Sequence, residues 1–423
     1  MRPPNGKATP PPMSGSPSKE ATDGIQERVE EFLRCELPKS WVAAIDEGDA
    51  DSLTRARDEL DLAEWWVRLA DEGYVAPTWP QEYGGLGLSP AQAASVSRVL
   101  KRYKVPRFTN PVGVDMVGPA ILHWGTEEQK RRFLRPIARH EEIWCQLFSE
   151  PGAGSDLAGL STKAVAHGDL WAVRGQKVWT SLAHLASHGL LLARTNPALP
   201  KHQGISAFLI PLRQTGVTVR PLRHMAGDVE FNEVFLDDAV VEDRFRLGAV
   251  GQGWQVAVSV LSDERQASSG SGGALPGTVT GRSVEALIRH HAPVSDPVFR
   301  QRLAQAYIED RILQITGQRT AARRRSGLGA GPEGSVLKLT YSEQALRLQE
   351  LACDLEGAGG QAWTNDDRWR KNTAWSFLRV RSKTIAGGTS EIQRNVLAER
   401  SLGLPRVPDT ERERPWNKTL YST

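Results

Sequence analysis

The hydrophobic period of this chain changes twice along its length, and this change restricts the folds that the chain can adopt. In residues 23–142 apolar side chains recur at helical spacing with charges between them. In residues 143–247 the segments are short, β-branched and alternating, with turn residues between them. Helical periodicity returns over residues 248–405. Successive blocks of helices, strands and helices predict an α+β fold.

The two ends have a different composition from these blocks. Residues 1–22 are rich in Pro, Ser, Gly and Thr, a composition that cannot bury enough apolar surface to fold, and they are predicted to form a disordered arm. Residues 406–423 are polar and are predicted to form a loose tail. The domain prediction is therefore an arm, an N-terminal helical domain, a middle β-domain, a C-terminal helical bundle and a tail.

Length and composition exclude several classes of protein. The 423 residues indicate two or three subdomains, and the 39% of apolar residues are enough for a sizeable core. A net charge of +3 gives no electrostatic case for nucleic-acid binding. No apolar run approaches the ~18 residues of a membrane span, and the first residues lack the apolar core of a signal peptide.

Cysteine and histidine usage points to the cytoplasm and away from a metal enzyme. Cys35, Cys145 and Cys353 are far apart and form no C-x-x-C pair, so free thiols in a reducing compartment are expected. The nine histidines show no H-E-x-x-H or similar spacing, so no metal site is predicted.

Two segments of the middle block have the composition of a ligand site. The first, F-S-E-P-G-A-G-S-D-L-A-G at Phe148–Gly159, has glycines that let the backbone approach a ligand and serines that offer hydroxyl groups. Alone it is equally compatible with an ordinary glycine-rich turn. The second, G-Q-K-V-W-T-S at Gly175–Ser181, follows after one hairpin, and its Trp179 is also compatible with a core position.

Together these two segments resemble the flavin and thioester site of the acyl-CoA dehydrogenases. The E-P-G-A-G-S-D loop matches that family nearly letter for letter. Similarity extends over about residues 23–405 and includes W-P-Q-E-Y-G-G, N-E-V-F-L-D-D-A-V-V, G-A-V-G-Q-G-W and G-G-T-S-E-I-Q-R-N. The resemblance implies an N-terminal helical domain, a middle antiparallel β-domain, a C-terminal four-helix bundle and FAD as cofactor.

The resemblance also implies particular site residues and partners. The residues that it places on FAD are Leu147, Ser149, Gly154, Ser155, Trp179, Thr180, Ser181, Gly357, Thr389 and Glu391. Ser155 and Arg265 are implied on the substrate side. Physically, Thr389 or Ser390 can cap the last long helix, whose free N–H groups suit a phosphate. The implied partners are an acyl-CoA substrate, an electron-transfer flavoprotein and further subunits in a homo- or hetero-oligomer.

The catalytic base needs a separate argument. Many members of the family carry a glutamate before G-T-S, but this chain has Gly387 there. Glu264 follows Ala257 by seven positions in G-W-Q-V-A-V-S-V-L-S-D-E-R, which places it on the apolar stripe of a helix. From periodicity alone, an ion pair with a buried arginine or a position at the border of the stripe is the favoured explanation of Glu264. Isovaleryl- and long-chain-type members carry their base in a similar L-x-x-E-R, and this resemblance implies Glu264 as the base.

Two departures from the family pattern concern flavin contacts across a subunit interface. The family's R-x-x-F-G is absent from R-H-H-A-P-V-S-D-P, where Arg289 or His290 is a candidate replacement. The family's Q-x-x-G-G-x-G appears as D-L-E-G-A-G-G at Asp354–Gly360. Both changes favour a mixed oligomer with a sister chain, and simple drift is the alternative. Two other functions stay open: a flavin oxidase or dehydrogenase on a carrier-protein thioester, and a non-catalytic subunit of a heteromer.

Overall fold

The computed structural model describes residues 19–105, 110–266, 284–325, 333–361, 368–406 and 408–419. Within these ranges, the side chains of residues 19–22, 50, 262–266, 321, 324–325 and 368–371 are outside the description. Of the predicted arm, residues 1–18 also lie outside it, whereas residues 19–22 form the start of the first helix.

The N-terminal region is helical, as the sequence predicts. Its helices are α1 (Lys19–Glu36), α2 (Lys39–Glu47), α3 (Ala50–Ala56), α4 (Leu62–Asp71), α5 (Pro90–Arg102), α6 (Gly118–Trp124) and α7 (Glu127–Ala138), with a π-helical turn at Gly113–Val117 before α6. Local signals set the helix starts. Asp61 accepts hydrogen bonds from the first backbone N–H groups of α4, and Ser89 forms a capping box with Gln92 ahead of Pro90.

The middle region forms an eight-stranded sheet. Its strands are β1 (Trp144–Leu147), β2 (Lys163–His167), β3 (Leu170–Ser181), β4 (His188–Arg194), β5 (Ile205–Pro211), β6 (Val217–Leu222), β7 (Phe231–Glu242) and β8 (Arg246–Leu247). The strand order is β6-β7-β3-β2-β4-β5-β8, with β1 paired to β4. Most pairs are antiparallel, but β1–β4 and β2–β4 are parallel, so the sheet is mixed where a purely antiparallel one was expected.

The alternating pattern of the sequence identifies β3, β5, β6 and β7 but not β4. Strand β4 pairs with three other strands, and every residue from Gly189 to Arg194 is buried. A strand that is buried on both faces reads as a continuous apolar run without alternation, because neither face contacts water.

The C-terminal region is helical, as expected. Its helices are α8 (Gly253–Gln266), α9 (Val284–His291), α10 (Pro297–Arg325), α11 (Glu333–Glu356), α12 (Arg368–Arg379) and α13 (Ser390–Arg400). Helix α11 is central and packs against the other five. Two glycine-rich segments interrupt the helical pattern of the sequence, at residues 268–277 and 328–334; the first and most of the second lie outside the described residues.

One hydrophobic core joins all three regions. It contains side chains from the N-terminal helices, from one face of the sheet and from α8, where Val256, Ala257 and Val260 are fully buried. The sheet encloses a second core around Phe208 and Val234, and a third joins α9, α10 and α11 around Leu287 and Leu303. Helix α8 is thereby fixed against the β-domain.

Residues 408–419 pack against the β-domain, whereas the sequence predicts a loose tail over residues 406–423. The backbone N–H of Trp416 donates to the Leu199 carbonyl over 2.9 Å, and its indole N–H donates to the Gly159 carbonyl over 3.4 Å. The Arg194 guanidinium lies 4.4 Å from the centre of the Trp416 ring. One large aromatic side chain therefore anchors residues 408–419 to the β-domain, although their average composition is polar. We call residues 408–419 the C-terminal strap.

Candidate active site

A bulge in β3 presents Trp179 to the outside. The pairing of β3 with β7 shifts register between Lys177 and Thr180, and Trp179 has φ +60°. A left-handed backbone is unusual for a bulky residue and marks a site whose surroundings enforce it. The Trp179 side chain is 55% exposed, which excludes the core position that the sequence left open.

The residue after Trp179 carries a buried hydroxyl group that lacks a partner. Thr180 is 1% exposed, and its Oγ1 has no hydrogen-bond partner among the described residues. A buried hydroxyl without a partner costs about 1–3 kcal/mol, so a polar group of a bound ligand is the expected partner. The exposed aromatic ring and the unsatisfied hydroxyl side by side fit the planar, hydrogen-bonding ring system of a flavin.

A buried ion pair holds the bulge against the glycine-rich loop. The Lys177 ammonium donates to Glu150 Oε1 over 2.8 Å and to the Phe148 carbonyl over 3.0 Å. The Glu150 carboxylate also accepts hydrogen bonds from the backbone N–H groups of Ser161 and Thr162 at 2.7 and 3.0 Å. The loop from Phe148 to Thr162 and the bulge in β3 therefore form one locked unit.

The Lys177 ammonium and the surrounding hydrogen bonds keep the Glu150 carboxylate ionised. Burial alone would raise the pKa of Glu150, but the charge of Lys177 and the hydrogen bonds from Lys177, Thr162 and Ser161 lower it to about 2. Glu150 is therefore ionised and fully engaged, and it is not free to accept a proton in catalysis.

The loop itself leaves room for a ligand. The Glu150 and Ala153 backbones exchange two hydrogen bonds of 3.0 Å, which close a tight turn. Ser155 is exposed and Leu147 is buried at the end of β1, and the Val178 N–H donates to the Ser149 carbonyl over 2.9 Å. A Cβ added at Gly154 would meet no atom of the described chain within 4 Å, so the fold itself does not require glycine there.

The last motif forms a turn and a capped helix start. Gly387 and Gly388 have φ +65° and +90°, a conformation that favours glycine. The Lys338 ammonium donates to the Gly388 carbonyl over 2.6 Å. Thr389 caps α13, because its side chain accepts a hydrogen bond of 3.2 Å from the Ile392 N–H. The Glu391 carboxylate also lies at this helix start, where hydrogen bonds from its own backbone N–H and from Thr389 lower its pKa.

Cationic side chains surround this turn. Burial, followed by the charge of Arg379, lowers the pKa of Lys383 to about 8, and Lys338 adds to the effect. Glu230 is the acidic partner within this group and forms an ion pair with Arg379. Glu391, at the start of α13, is exposed. The turn thus combines helix N–H groups with positive charge, which suits a phosphate or a developing negative charge.

Phe231 connects the bulge to the last motif. Its ring lies 5.7 Å from the Trp179 ring and 5.4 Å from the Arg379 guanidinium. Arg379 ends α12 and precedes the turn that leads to Gly387. The bulge at Trp179 is therefore linked through Phe231 to Arg379, from which the chain leads on to Thr389.

Gly357 lies elsewhere. It follows α11 directly and has φ +56°, whereas the Gly388 turn is held by Lys338 near the other end of the same helix. The 18 residues between Lys338 and Glu356 correspond to about 27 Å along a helix axis. Gly357 and Thr389 of one chain are therefore well separated.

Two predicted site residues have side chains that the structure does not describe. Glu264 and Arg265 belong to α8, but their side chains lie outside the described part of the chain. The sequence places Glu264 on the same helical stripe as Ala257 and Val260, and these two side chains are buried. The role of Glu264 stays a prediction.

Sequence reasoning missed Lys177, Phe231 and Arg379. Lys177 had a usable signal, because the alternation of β3 gives it the same side of the strand as Val173 and Gly175. Phe231 and Arg379 have no such signal, since their contact joins segments 148 residues apart in the sequence. Their relationship depends on the packing of the C-terminal helices against the β-domain.

The chain matches three family models. The N-terminal domain of acyl-CoA dehydrogenases matches residues 19–141, the middle domain residues 145–239 and the C-terminal domain residues 251–402. The chain therefore belongs to the acyl-CoA dehydrogenase family, whose members are FAD-dependent oxidoreductases. The family and the fold class expected from the sequence are confirmed.

Individual members of the family show how similar this chain is to particular proteins. The chain is 40% identical over 350 residues to acyl-CoA dehydrogenase IpdE1 of Mycobacterium tuberculosis, covering 81% of this chain and 88% of the relative. It is 41% identical over 341 residues to acyl-CoA dehydrogenase FadE34 of the same species, covering 80% of this chain and 46% of that protein. Among solved structures, the Tcur3481–Tcur3483 steroid ACAD has a TM-score of 0.72 at 26% identity, covering 92% and 99% of the two chains.

No helix within the described ranges is long and apolar enough to cross a membrane. Cys35, Cys145 and Cys353 are free cysteines, as the sequence predicted.

Proposed function

We propose that this chain binds FAD and catalyses the α,β-desaturation of an acyl-CoA thioester. The observation that carries the proposal is the bulge in β3, where an exposed Trp179 stands beside the buried, unsatisfied hydroxyl of Thr180. FAD supplies hydride acceptance in this family, and the protein supplies binding, orientation and a base.

The residues proposed to hold FAD come from the β-domain and from the C-terminal helical region. They are Leu147, Ser149, Gly154, Ser155, Trp179, Thr180 and Ser181 on the β-domain and Thr389 and Glu391 at the start of α13, with Gly357 serving a neighbouring subunit. The locked Glu150–Lys177 unit supports this assignment, because it fixes the loop relative to the bulge. The positive surroundings of the Gly388 turn support an anionic ligand there.

Glu264 is the proposed base that removes the α-proton, with Arg265 next to it on the substrate side. Helical periodicity gives Glu264 the same face of α8 as the buried Ala257 and Val260. A carboxylate on an apolar face gains basicity when substrate excludes water, since desolvation raises its pKa. Two other acids near the site are already engaged, because Glu150 pairs with Lys177 and Glu230 with Arg379.

The proposed substrate class is a bulky acyl-CoA, including acyl groups derived from steroids. Gly387 stands where many members have a glutamate, and a glycine leaves the space of that side chain free for a larger acyl group. The likeness to a steroid ACAD supports the same class. An electron-transfer flavoprotein is the proposed acceptor, by analogy with the family.

The proposed assembly is an oligomer, and a sister chain fits it best. Helix α10 exposes an apolar stripe at helical spacing, with Ile308, Ile312 and Ile315 each at least 50% exposed. The two sequence departures from the family's cross-subunit motifs meet in space, since His290 and His291 lie beside Glu356. A carboxylate is a poor partner for a flavin diphosphate, so a second type of chain is proposed to supply the missing contacts. A solved relative at 25% identity and a TM-score of 0.69 is the ChsE4–ChsE5 complex of Mycobacterium tuberculosis.

The test of this function is anaerobic reduction of the bound flavin by a panel of acyl-CoA thioesters, from straight-chain to steroid-derived. The chain is produced alone and with a candidate sister chain. Glu264→Gln should keep flavin and bind substrate but slow flavin reduction at least ~10²-fold, while the neighbouring Asp263→Asn should leave the rate near wild type.

The outcomes separate the parts of the proposal. Near-normal reduction in Glu264→Gln would show that another residue is the base. Full flavin occupancy in a homo-oligomer of this chain would exclude the need for a sister chain. Absence of flavin in every assembly would overturn the proposed function and favour a non-catalytic subunit.

A further inference from the structure

Three potential metal ligands converge where α9 and α11 end. His290 Nε2 and His291 Nε2 lie 3.9 and 3.6 Å from the same carboxylate oxygen, Oε1 of Glu356. One donor atom from each of the three residues lies within 4.8 Å of the other two. The two imidazole rings are perpendicular, with centroids 4.8 Å apart. Both of these successive residues direct their Nε2 atom toward the same Glu356 oxygen.

The cluster is partly shielded from solvent. The side chain of Glu356 is 7% exposed and that of His291 is 14% exposed, whereas His290 is 40% exposed. Two ligands thus come from the interior and one from the rim, an arrangement through which an ion can enter. The site combines ligands from two helices that the third hydrophobic core, around Leu287 and Leu351, holds together.

Helix polarity makes this location favourable for a cation. His291 is the last residue of α9 and Glu356 is the last residue of α11. Both helices therefore direct the negative end of their dipole to the same place, and a carboxylate there adds to the negative potential. A cation compensates both terms, whereas an acid at a helix C-terminus is otherwise unfavourable.

The geometry points to a site for a divalent ion of the zinc type, bound by His290, His291 and Glu356. Two imidazoles and one carboxylate form a donor set that suits Zn²⁺ and its late first-row neighbours and leaves further coordination positions for water or a ligand. Tetrahedral bonds of ~2.0–2.2 Å place neighbouring donors about 3.4 Å apart. The two nitrogen–oxygen distances therefore need adjustments of a few tenths of an ångström.

A bound ion would fix the turn that follows α11. Gly357 comes directly after Glu356 and has a left-handed backbone. Metal binding would therefore join the end of α9 to the turn that follows α11. The sequence could not reveal such a site, because the ligands come from helices 65 residues apart and not from one H-E-x-x-H segment. The proposed function uses the same three residues only to argue for a sister chain, and metal binding can be measured without flavin or substrate, so the two proposals can fail separately.

The test uses the full chain without a histidine tag and with Cys35→Ser as background, because the exposed Cys35 thiol can also bind metal. Metal-free protein is titrated with Zn²⁺ against a chromophoric chelator, and Co²⁺ serves as a spectroscopic probe. Thermal unfolding with and without Zn²⁺ gives a second readout that needs neither flavin nor substrate. The variants are His291→Ala and the nearly isosteric Glu356→Gln, and His167→Ala on the exposed strand β2 is the matched control.

We expect about one ion per chain, a tetrahedral or five-coordinate Co²⁺ spectrum and a rise in Tm with Zn²⁺. Each site variant should bind at least about tenfold more weakly and lose the rise in Tm, while His167→Ala should behave as the parent. Equal binding in the parent and in both site variants would overturn the inference, as would an octahedral Co²⁺ spectrum without ligand-field signs of imidazole. Circular dichroism of the metal-free variants checks that they are folded. If His291→Ala does not fold, the metal affinity of Glu356→Gln alone tests the site.

Discussion

The Lys177 ammonium lies 2.8 Å from the Glu150 carboxylate, and both side chains are almost completely buried between the glycine-rich loop and the bulge of β3. Lys177→Met should destabilise the protein by about 3–5 kcal/mol, because it leaves Glu150 as an uncompensated buried charge. Thermal or urea unfolding measures the loss. The exposed Lys163→Met on the neighbouring strand is the control and should change stability little.

The same pair provides an internal check. Adding Glu150→Gln to Lys177→Met removes the remaining charge, so the double variant should regain part of the lost stability. Flavin content should follow the same order, since the pair fixes the loop relative to Trp179. A single variant Lys177→Met that is as stable as Lys163→Met would contradict the locked unit.

Gly154→Val should lower the flavin content of the purified protein without unfolding it. No described atom lies within 4 Å of the added Cβ, so the fold tolerates the side chain while a ligand approaching the loop meets it. Visible absorbance and unfolding are the two measurements. Gly334→Val, another open glycine at the start of α11, is the control and should keep its flavin. A native flavin spectrum at full occupancy in Gly154→Val would place the cofactor elsewhere.

His140 should make stability fall on acidification. Burial lowers the pKa of His140 to about 4 from its ordinary value of 6.5, so the folded protein holds it neutral while the unfolded chain binds a proton between these values. Stability from this group is complete above pH ~6.5 and is lost as the pH falls toward ~4, by at most about 1.4 kcal/mol per pH unit. His140→Asn removes the titrating imidazole, and asparagine tolerates the backbone φ of +60° at this position. Unfolding from pH 7 to 4.5 should therefore show a shallower loss in the variant, and parallel curves would disprove the assignment.

Gly387→Glu should partly rescue Glu264→Gln. The introduced carboxylate would stand where many family members carry their base, and straight-chain substrates should benefit most because the new side chain occupies space. The cost is strain of roughly 1–2 kcal/mol, since Gly387 has φ +65°. Single-turnover flavin reduction compares the double variant with Glu264→Gln. No gain for any chain length would indicate that position 387 does not face the reacting carbon.

Trp416→Ala should loosen the glycine-rich loop. The substitution removes the indole hydrogen bond to Gly159 and the ring contact with Arg194, with an expected loss of about 1–2 kcal/mol. Limited proteolysis should then cut the chain faster near residues 150–160 and within the C-terminal strap. Lys418→Ala, exposed on the same segment, should leave the cleavage pattern unchanged.

Local signals explain what the sequence predicted well. Ser89 and Pro90 mark the start of α5, and Thr389 caps α13, because caps depend on residues three positions apart. The strand alternation of β3 and β7 is visible since one face of each is wet. Resemblance, rather than periodicity, is the basis on which Trp179 and Thr180 are proposed as site residues.

Long-range contacts explain what was missed. Strand β4 shows no alternation because both of its faces are covered. The contact of Phe231 with Arg379 and the convergence of His290 with Glu356 join segments that no local pattern relates. The C-terminal strap is polar in its average composition, so the sequence predicts a loose tail. Its position depends on the long-range contacts of one residue, Trp416, which average composition does not show.

The C-terminal strap also has a consequence for the order of folding. The indole of Trp416 contacts Gly159 across 257 positions of sequence, so the loop after β1 gains this support only after residue 416 has been synthesised. Contacts of such long range form slowly because a large loop must close first. During translation the β-domain can assemble its sheet early, but the glycine-rich loop is stabilised by the C-terminal strap only later. Premature release of the chain would therefore yield a domain that is folded in its sheet and incomplete at the loop.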